Sequence, residues 1–364
     1  MAAESHIGRS QLLRRSHSLA DAPELQEYVL HDITEGEEIG AGAFGAVLSL
    51  MYHGAVCAGK RLHAILVTGE SNLLEKFVAE CRILKNLRHP HIVQFLGICF
   101  LPSSDLPVLV MEFLRYNLHD LLETHSKILM SVKLSILHDI VRGLLYLHSQ
   151  HPPIVHRDLS ARNVLLNSAL IAKIADFGVA RIINTQQLSR ELTRFPGAGV
   201  YMPPEAGQSE NITPVYTSKL DIFSLGIVFL FTVTQEFPQN LLPATFYDES
   251  GVFRPRNEQE RRQQYVDAAE QVKKGQFVAL PYLHPLLPLQ VLGDHDHPLL
   301  ILIRECLDNI PLRRPNTRDI LQRVGEMSRE GGDDLMAMDK LHMIEELQRV
   351  QLAYEEQQVS SAGA

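Results

Sequence analysis

The 364-residue sequence has no tryptophan, few cysteines and no long hydrophobic run. Its four cysteines are scattered, without the paired spacing of a zinc site or a disulfide framework: Cys57, Cys81, Cys99 and Cys306. The longest apolar stretch, Ile222 to Val233, is interrupted by Ser224 and Gly226 and is too short to cross a bilayer as a helix. The sequence therefore predicts no membrane span, and we interpret this stretch as a buried core helix.

A secretion signal and a basic surface are also missing. Glu4 and His6 lie where a signal peptide would need an apolar core. The net charge of −9 argues against a general nucleic-acid-binding surface, which would be basic. We therefore expect a cytoplasmic protein that binds no nucleic acid. Its length is sufficient for two lobes joined by a hinge.

The chain divides into three predicted segments. Residues 1–26 are polar, lack a sustained periodicity and are predicted to form a disordered tail. Residues 27–326 are predicted to fold as one two-lobed domain, and residues 327–364 as a C-terminal helix with a short tail. Within residues 333–358 the apolar positions lie near heptad spacing, so this helix either packs on its own domain or mediates weak dimerisation.

The folded domain changes character along its length. Residues 47–50 and 55–58 are predicted strands around a turn at residues 52–54, followed by a helix near residues 74–84 and strands at residues 92–99 and 108–112. After a hinge-like stretch the pattern becomes helical, most clearly over residues 134–147, 220–232 and 299–307, and residues 237–256 are predicted to be irregular. This change places an N-terminal lobe at about residues 27–113 and a C-terminal lobe at about residues 114–326.

A glycine-rich segment opens the first predicted hairpin. It reads Gly40-Ala41-Gly42-Ala43-Phe44-Gly45-Ala46-Val47, and its glycines allow backbone amides to approach phosphate oxygens closely. A dinucleotide-binding fold would begin a helix after the third glycine, whereas this chain continues as a strand. The context therefore favours a flap that covers phosphates.

One lysine and one glutamate are candidates for gripping those phosphates. Lys60 ends the second predicted strand, where its ammonium can bind α- and β-phosphates if a carboxylate holds it in place. Glu80, on the predicted helix that follows, is the natural partner. Either residue taken alone would more commonly be a surface charge.

The decisive motifs come later in the chain. Residues 154–166 read Ile-Val-His-Arg-Asp-Leu-Ser-Ala-Arg-Asn-Val-Leu-Leu, and residues 175–178 read Ala-Asp-Phe-Gly. Together with the glycine loop, Lys60 and Glu80 in this order, the sequence resembles the eukaryotic protein kinases over roughly residues 30–325. That resemblance implies an α+β, bilobal protein kinase fold with an ATP cleft between a small β-rich lobe and a larger helical one.

The resemblance also implies roles for individual residues. Asp158 would accept or orient the proton of the acceptor hydroxyl, while Asn163 and Asp176 would supply oxygen ligands to Mg²⁺. Lys60, held by Glu80, would orient ATP. Further similarities imply that Asp221 braces the catalytic loop, and that Arg314 is a buried ion-pair partner of Glu205 in the segment Met202-Pro203-Pro204-Glu205.

An adenine pocket is implied by the same comparison. Apolar residues should sandwich the base, Met111 should close the back of the pocket, and the backbone of the hinge should bind the adenine edge. Each apolar position would serve equally well in an ordinary core. The residues expected to contact the base are Ile39, Val47, Ala58 and Leu165 through their side chains and Glu112 and Leu114 through their backbone.

The residues that indicate whether serine, threonine or tyrosine receives the phosphoryl group disagree. Ser160 stands where serine/threonine kinases usually carry lysine, and Arg162 stands where tyrosine kinases often carry arginine. Tyr201 instead resembles the serine/threonine form, since tyrosine kinases place tryptophan there, and Ala198 matches neither pattern. The mixture resembles the tyrosine-kinase-like group. It favours serine or threonine slightly, with tyrosine or dual specificity as the alternative.

Regulation and rival functions can be named from the same residues. Phosphorylation of Thr185, Ser189 or Thr193 by an upstream kinase could order the activation segment through Arg157. The main rival is a pseudokinase scaffold that binds nucleotide and partners without transfer, and a small-molecule kinase is a weaker one. Ligand-type residues at positions 294–297, Asp-His-Asp-His, are interpreted as a polar connection rather than a metal site.

Overall fold

The computed structural model describes residues 26–42, 45–62, 73–103, 107–125, 127–182, 201, 203, 214–235, 297–308, 310–330 and 337–349. The chain forms two compact units, the first ending at Arg115 and the second beginning at Tyr116. Three predicted segments lie outside the described residues, namely the tail up to residue 25, the irregular stretch at 237–256 and residues 350–364.

The first unit is built on a five-stranded antiparallel sheet. Its strands are β1 (Ile33–Gly42), β2 (Gly45–Tyr52), β3 (Ala55–Leu62), β4 (Phe95–Cys99) and β5 (Val108–Glu112), in the order β1-β2-β3-β5-β4. Its buried core cluster comprises Leu48, Leu50, Cys57, Cys99, Leu101, Val108 and Val110. The predicted strands are confirmed, although β4 begins three residues later than expected because Ile92 still belongs to a turn onto His89.

The hairpin between β2 and β3 follows from its turn residues. His53 and Gly54 both have positive φ, 48° and 83°, which is the backbone of a two-residue turn whose twist matches the flanking strands. The turn sets the register, so that Val47 lies opposite Lys60 and Ser49 opposite Ala58.

One helix and a short N-terminal segment complete the first unit. Helix α1 (Leu73–Leu84) buries Phe77, Cys81 and Leu84, which recur at helical spacing. Residues 28–30 run along the edge strand β4, with the amide of Leu30 donating to the carbonyl of Ile98 at 2.7 Å. This segment satisfies edge groups that would otherwise be open to pairing with another chain.

The second unit is mostly helical. Its described helices are α2 (Leu118–Thr124), α3 (Met130–His148), α4 (Pro214–Thr234), α5 (Pro298–Cys306) and α6 (Thr317–Glu330), followed by helical residues 337–349, which we call α7. Residues 220–233 of α4 are buried throughout, so the prediction of a core helix is confirmed. The described helices include none that is long and apolar enough to cross a membrane.

Short strands connect the helices of this unit. Strand β6 (Tyr116–Asn117) pairs with β8 (Val164–Leu166), which pairs with β9 (Ala172–Ile174), and β7 (Ile154–Val155) pairs with β10 (Arg181–Ile182). A single 3₁₀ turn, Ala161–Asn163, precedes β8, and another, Pro311–Arg313, precedes α6. These strands hold both ends of the loop that carries the sequence motif.

Helix α7 packs on its own unit in the part that the structure describes. Met343 and Leu347 are buried, Asp339 accepts a hydrogen bond from Ser131, and Lys340 Nζ donates to Ser135 Oγ at 3.1 Å. Both serines belong to α3. Met343 and Leu347 therefore pack within the chain, whereas Met338 and Leu341 are 59% and 55% exposed, and weak dimerisation through this helix stays a prediction.

Candidate active site

An ion pair joins β3 and α1 in the first unit. Lys60 Nζ lies 2.9 Å from Glu80 Oε1 and 3.1 Å from Glu80 Oε2. Glu80 is only 4% exposed because it shares the buried face of α1 with Phe77 and Cys81. A buried carboxylate needs a charged or hydrogen-bonding partner, and the ammonium supplies one. The structure thus brings together the lysine and glutamate that the sequence singled out.

The glycine-rich segment forms the turn end of the β1–β2 pair. Gly40 pairs with Val47, Ala41 with Ala46 and Gly42 with Gly45, so this segment continues as a hairpin rather than as the start of a helix. The predicted strand after the glycines is confirmed. Ala43 and Phe44, at the tip, lie outside the described residues.

The residues expected around adenine occupy three places. Ile39, in β1, is 46% exposed, and Ala58, in β3, is buried opposite Met111 of β5. Glu112 ends β5, where its amide donates to the carbonyl of Gln94 at 3.0 Å and its carboxylate accepts from the Gln94 amide at 2.7 Å. Leu114 follows β5, and Leu165 lies in β8 of the second unit, each partly buried.

Asp158 and Asn163 are joined within the motif loop of the second unit. Asn163 Nδ2 donates to the carbonyl of Asp158 at 2.7 Å and to its carboxylate Oδ2 at 2.9 Å. Its backbone carbonyl accepts from the Ala175 amide at 2.8 Å, which fixes the residue from the other side. The loop therefore presents the carboxylate and the amide in one defined arrangement.

Asp221 holds the start of this loop from α4. Its carboxylate is fully buried and accepts from the backbone amides of His156 at 2.9 Å and Arg157 at 2.8 Å. His148 Nε2, on α3, lies 2.9 Å from the same carboxylate. The predicted brace is confirmed, and it supports Arg157 in a left-handed conformation with φ of 67°.

His156 connects the loop to the Asp-Phe-Gly segment. Its Nε2 lies 3.0 Å from the carbonyl of Ala175, and its Nδ1 lies 3.3 Å from the amide of Asp158. The Nε2–H therefore donates and Nδ1 accepts, which is the pattern of a neutral imidazole. The His156 ring meets the edge of Phe177 at 5.0 Å, placing Asp176 next to a packed aromatic pair.

Asn163 and Asp176 fit the role of ligands for a hard cation. Both hydrogens of Asn163 Nδ2 are used on Asp158, which leaves the amide oxygen Oδ1 as the side-chain atom that can bind a cation. Asp176 has a φ of 62°, and its Oδ1 accepts from the Gly178 amide at 3.3 Å. Amide and carboxylate oxygens are the ligands that Mg²⁺ prefers.

Arg162 is directed toward α2. Its Nη2 lies 3.0 Å from His119 Nε2, and its Nη1 lies 3.7 Å from Asp120 Oδ1. The side chain is 64% exposed, whereas His119 is buried. The sequence identified Arg162 as a residue that indicates the type of phosphoryl acceptor, but it did not identify His119 as the partner of Arg162.

Near its end, the activation segment is described only at Tyr201 and Pro203. Tyr201 is buried, and its carbonyl accepts from Ser224 Oγ of α4 at 2.8 Å. Arg314 is 1% exposed, donates from Nη1 to the carbonyl of Lys219 at 2.8 Å and lies over the ring of Phe223. Outside the described residues lie Thr185, Ser189, Thr193, Ala198, Met202, Pro204 and Glu205.

One histidine lies in a segment whose role was predicted, and another was not predicted to have a role. His297 Nδ1 accepts from the Leu299 amide at 3.2 Å and so begins α5, as expected of a polar connection, while residues 294–296 lie outside the described residues. His148 was missed, although it falls four residues after Leu144 on the apolar face of α3. A histidine within a buried helical stripe is the signal that could have found it.

Comparison with known proteins places these features in a family context. Residues 33–324 match the sequence profile of the protein kinase domain. The probable serine/threonine-protein kinase drkA of Dictyostelium discoideum is 28% identical over 307 residues, covering 84% of this chain and 41% of that protein. Seven transmembrane domain-containing tyrosine-protein kinase 1 from the same organism is 34% identical over 250 residues, covering 66% and 35%.

A third relative has a different activity in its name. The dual specificity protein kinase splA of Dictyostelium discoideum is 27% identical over 328 residues, covering 85% of this chain and 12% of that protein. The chain thus spans less than half the length of each of these three relatives. The predicted resemblance to the eukaryotic protein kinases is confirmed, and the names of these relatives include serine/threonine, tyrosine and dual specificity kinases.

Proposed function

Because the chain belongs to the protein kinase family, we propose that it is an active enzyme that transfers the γ-phosphoryl group of ATP to hydroxyl groups of other proteins. The observation that carries this proposal is the double hydrogen bond from Asn163 to Asp158, in a loop braced by buried Asp221. Such a loop holds a proton acceptor in one place before a substrate arrives. Positioning of this kind is the main contribution a protein makes to phosphoryl transfer.

The first unit supplies groups suited to binding the nucleotide. The ammonium of Lys60, oriented by Glu80 at 2.9 Å, is a fixed positive charge for α- and β-phosphate oxygens. The hairpin at Gly40–Gly45 offers backbone amides to the phosphates. The apolar residues Ile39, Val47, Ala58 and Leu165 and the backbone of Glu112 and Leu114 remain the proposed contacts of the adenine base.

The second unit supplies the proposed metal ligands and the base. Asn163 and Asp176 would hold Mg²⁺, which neutralises charge on the phosphate oxygens when bound. Asp158 would accept the proton of the acceptor hydroxyl. At the same time the hydroxyl oxygen would bond to the γ-phosphorus, and the bond from phosphorus to the leaving ADP oxygen would break. Asn163 keeps the carboxylate of Asp158 in the orientation that this step requires.

Transfer is tested directly with purified protein, Mg-ATP and peptide arrays that present serine, threonine or tyrosine as the acceptor. We expect incorporation of the γ-phosphoryl group into at least one acceptor class, and its loss in the Asp158→Asn variant. Calorimetric titration with Mg-ATP provides the second measurement. Nucleotide binding without transfer to any acceptor would instead identify a pseudokinase scaffold and overturn the proposal.

We favour serine and threonine as acceptors. Tyr201, which resembles the serine/threonine form, is buried at the end of the activation segment, and drkA carries serine/threonine activity in its name. Arg162 resembles the tyrosine form, and the names of two other relatives include tyrosine and dual specificity. Tyrosine or dual specificity is therefore the alternative that the arrays would reveal.

Regulation by an upstream kinase acting on Thr185, Ser189 or Thr193 is proposed, because the guanidinium of Arg157 in the motif loop is a group with which a phosphate can pair. Mass spectrometry of active protein and a triple alanine variant test this role. Full activity of that variant would exclude it.

A reducing, cytoplasmic setting is also proposed, supported by four cysteines that are all buried, unpaired thiols.

A further inference from the structure

Arg162 and Tyr201 disagree about which amino acid is phosphorylated. Arg162 resembles the tyrosine kinases, whereas Tyr201 resembles the serine/threonine kinases. An arginine at this position can aid a tyrosine acceptor only if its guanidinium reaches the acceptor beside Asp158. Residues of a 3₁₀ turn are separated by about 120° around the axis, so Arg162 and Asn163 leave the turn Ala161–Asn163 in different directions. Asn163 turns to Asp158, and Arg162 turns to α2.

His119, the residue on α2 that accepts a hydrogen bond from Arg162, is held in place by its own contacts. The ring of His119 is buried, meets Phe231 of α4 edge-on at 5.6 Å, and has its Nδ1 at 3.2 Å from Asp120 Oδ1. With the Nδ1–H donating to that carboxylate, Nε2 carries the lone pair that accepts from Arg162 Nη2 at 3.0 Å. Burial and the Arg162 guanidinium both lower the pKa of His119, against the opposing effect of Asp120 and Glu123. The neutral imidazole that this hydrogen bond needs is thereby favoured.

A bound cation is the other interpretation of this cluster. His119, Asp120 and Glu123 place one ligand atom each within 4.8 Å of one another. The Nε2 of His119 is occupied by the guanidinium, however, and His119 Nδ1 and Arg162 Nη1 both face Asp120. An arginine already provides the positive charge at this place, so the cluster is an anchor for Arg162.

We infer that His119 is a positioning residue that holds Arg162 on α2, and that this contact favours serine or threonine over tyrosine as the acceptor. The inference rests on the proposed transfer activity and explains how a chain can carry a tyrosine-type arginine beside a serine/threonine-type Tyr201. Asp120 completes the anchor through its ion pair with Arg162 and its contact with His119.

Three variants test the inference through paired peptides that differ only in having serine or tyrosine as acceptor. His119→Leu keeps an apolar side chain against Phe231 but removes the acceptor nitrogen. We expect the ratio of kcat/KM for the tyrosine peptide to that for the serine peptide to rise roughly tenfold, the effect of losing one hydrogen bond to a charged group. His119→Gln places an amide oxygen where Nε2 was, and should return the ratio to within threefold of the parent.

The double variant His119→Leu/Arg162→Leu tests whether the guanidinium of Arg162 causes the change in preference. The gain in tyrosine preference should disappear in it, because the released guanidinium is the cause of the gain. A purely structural role of His119 would instead lower both peptide activities together and leave their ratio unchanged in all three variants.

A nuclear magnetic resonance titration of the imidazole of His119 provides a readout that does not depend on activity. Arg162→Leu should raise the pKa of His119, because the guanidinium that lowers it is gone. A pKa of His119 that is the same with and without Arg162 would show that the contact does not form and would overturn the inference.

The kinetic outcomes separate this inference from the proposed function. If the parent protein phosphorylates neither peptide nor any member of the arrays, the transfer activity itself is wrong, and the inference falls with it. If the parent is active and His119→Leu leaves the tyrosine-to-serine ratio within twofold, the inference alone is wrong.

Discussion

The two units of this chain stabilise buried charge in different ways. In the first unit, the carboxylate of Glu80 is paired with the side chain of Lys60, on a different element. In the second unit, Asp221 faces the side chain of His148 but also accepts from two backbone amides, and the buried ammonium of Lys133 donates to the carbonyl of Val233 at 2.9 Å. Arg314 likewise donates to the carbonyls of Lys219 and Asp308.

This difference has consequences for how each region can change. An ion pair between two side chains breaks when the helix that carries one partner moves, while the backbone of each element can keep its path. A carboxylate bonded to backbone amides fixes the path of the chain itself, and removing it leaves buried donors unpaired. We therefore expect substitutions at Lys60–Glu80 to affect mainly nucleotide use, and substitutions at Asp221 to affect folding as well.

The largest expected effect is chemical and lies in the backbone-held region. Asp158→Asn should lower kcat by about two to four orders of magnitude, the range for loss of a positioned proton acceptor. The amide can still accept from Asn163, so the thermal midpoint should change little. Steady-state kinetics and thermal denaturation measure the two effects, and a kcat within threefold of the parent would contradict the role assigned to Asp158.

The next largest effect separates structure from chemistry. Asp221→Leu keeps a branched side chain of four heavy atoms but leaves the amides of His156 and Arg157 without their acceptor, so it should lower the free energy of unfolding by about 3–5 kcal/mol. Asp319→Leu, at an exposed position on α6, is the control and should change the free energy by less than about 1 kcal/mol. Urea denaturation measures both, and equal small changes would remove the proposed distinction between the units.

The pH dependence of stability tests the second buried charge of the same unit. Burial lowers the pKa of Lys133 from 10.5 to about 8. Between pH 8 and 10.5 the unfolded chain binds more protons than the folded one, so this residue should make stability rise with pH across that window, by up to about 3 kcal/mol. Below pH 8 the full penalty for the charged amine is present.

Lys133→Met removes this contribution and should flatten the stability curve between pH 8 and 10.5. Lys127→Met, at an exposed lysine just before α3, should leave the slope as in the parent. Denaturant midpoints measured across this range make the comparison. A slope that survives in Lys133→Met would show that another group causes it.

The smallest expected effect is at the side-chain pair of the first unit. Glu80→Gln keeps an oxygen that can accept from Lys60 but removes the charge, so kcat/KM for Mg-ATP should fall about tenfold, or about 1.4 kcal/mol. Glu38→Gln, half-exposed and 3.5 Å from Arg61, is the matched control and should change this value by less than twofold. A loss at Glu80 as large as that at Asp158 would show that the side-chain pair of the first unit matters as much as the backbone-held loop of the second.

Much of the element pattern could be predicted from local sequence. The spacing of Phe77, Cys81 and Leu84 predicted α1, and the apolar stretch from Ile222 predicted a core helix. Strand β1 was not predicted, because its register shifts between Glu35 and Glu38 and again before Gly40, which breaks the alternation that identifies a strand. The N-terminal segment at residues 28–30 was also missed, since its pairing with β4 depends on residues about 70 positions away.

The sequence by itself determined the family, the order of the motifs and the residue types available for chemistry, because these depend on local patterns and spacing. Tertiary structure decided which of those groups meet. It placed Glu80 against Lys60, directed both hydrogens of Asn163 to Asp158, and turned Arg162 to His119. Contacts between distant residues depend on how helices and strands pack, and a buried polar group is stabilised only where that packing brings it a partner.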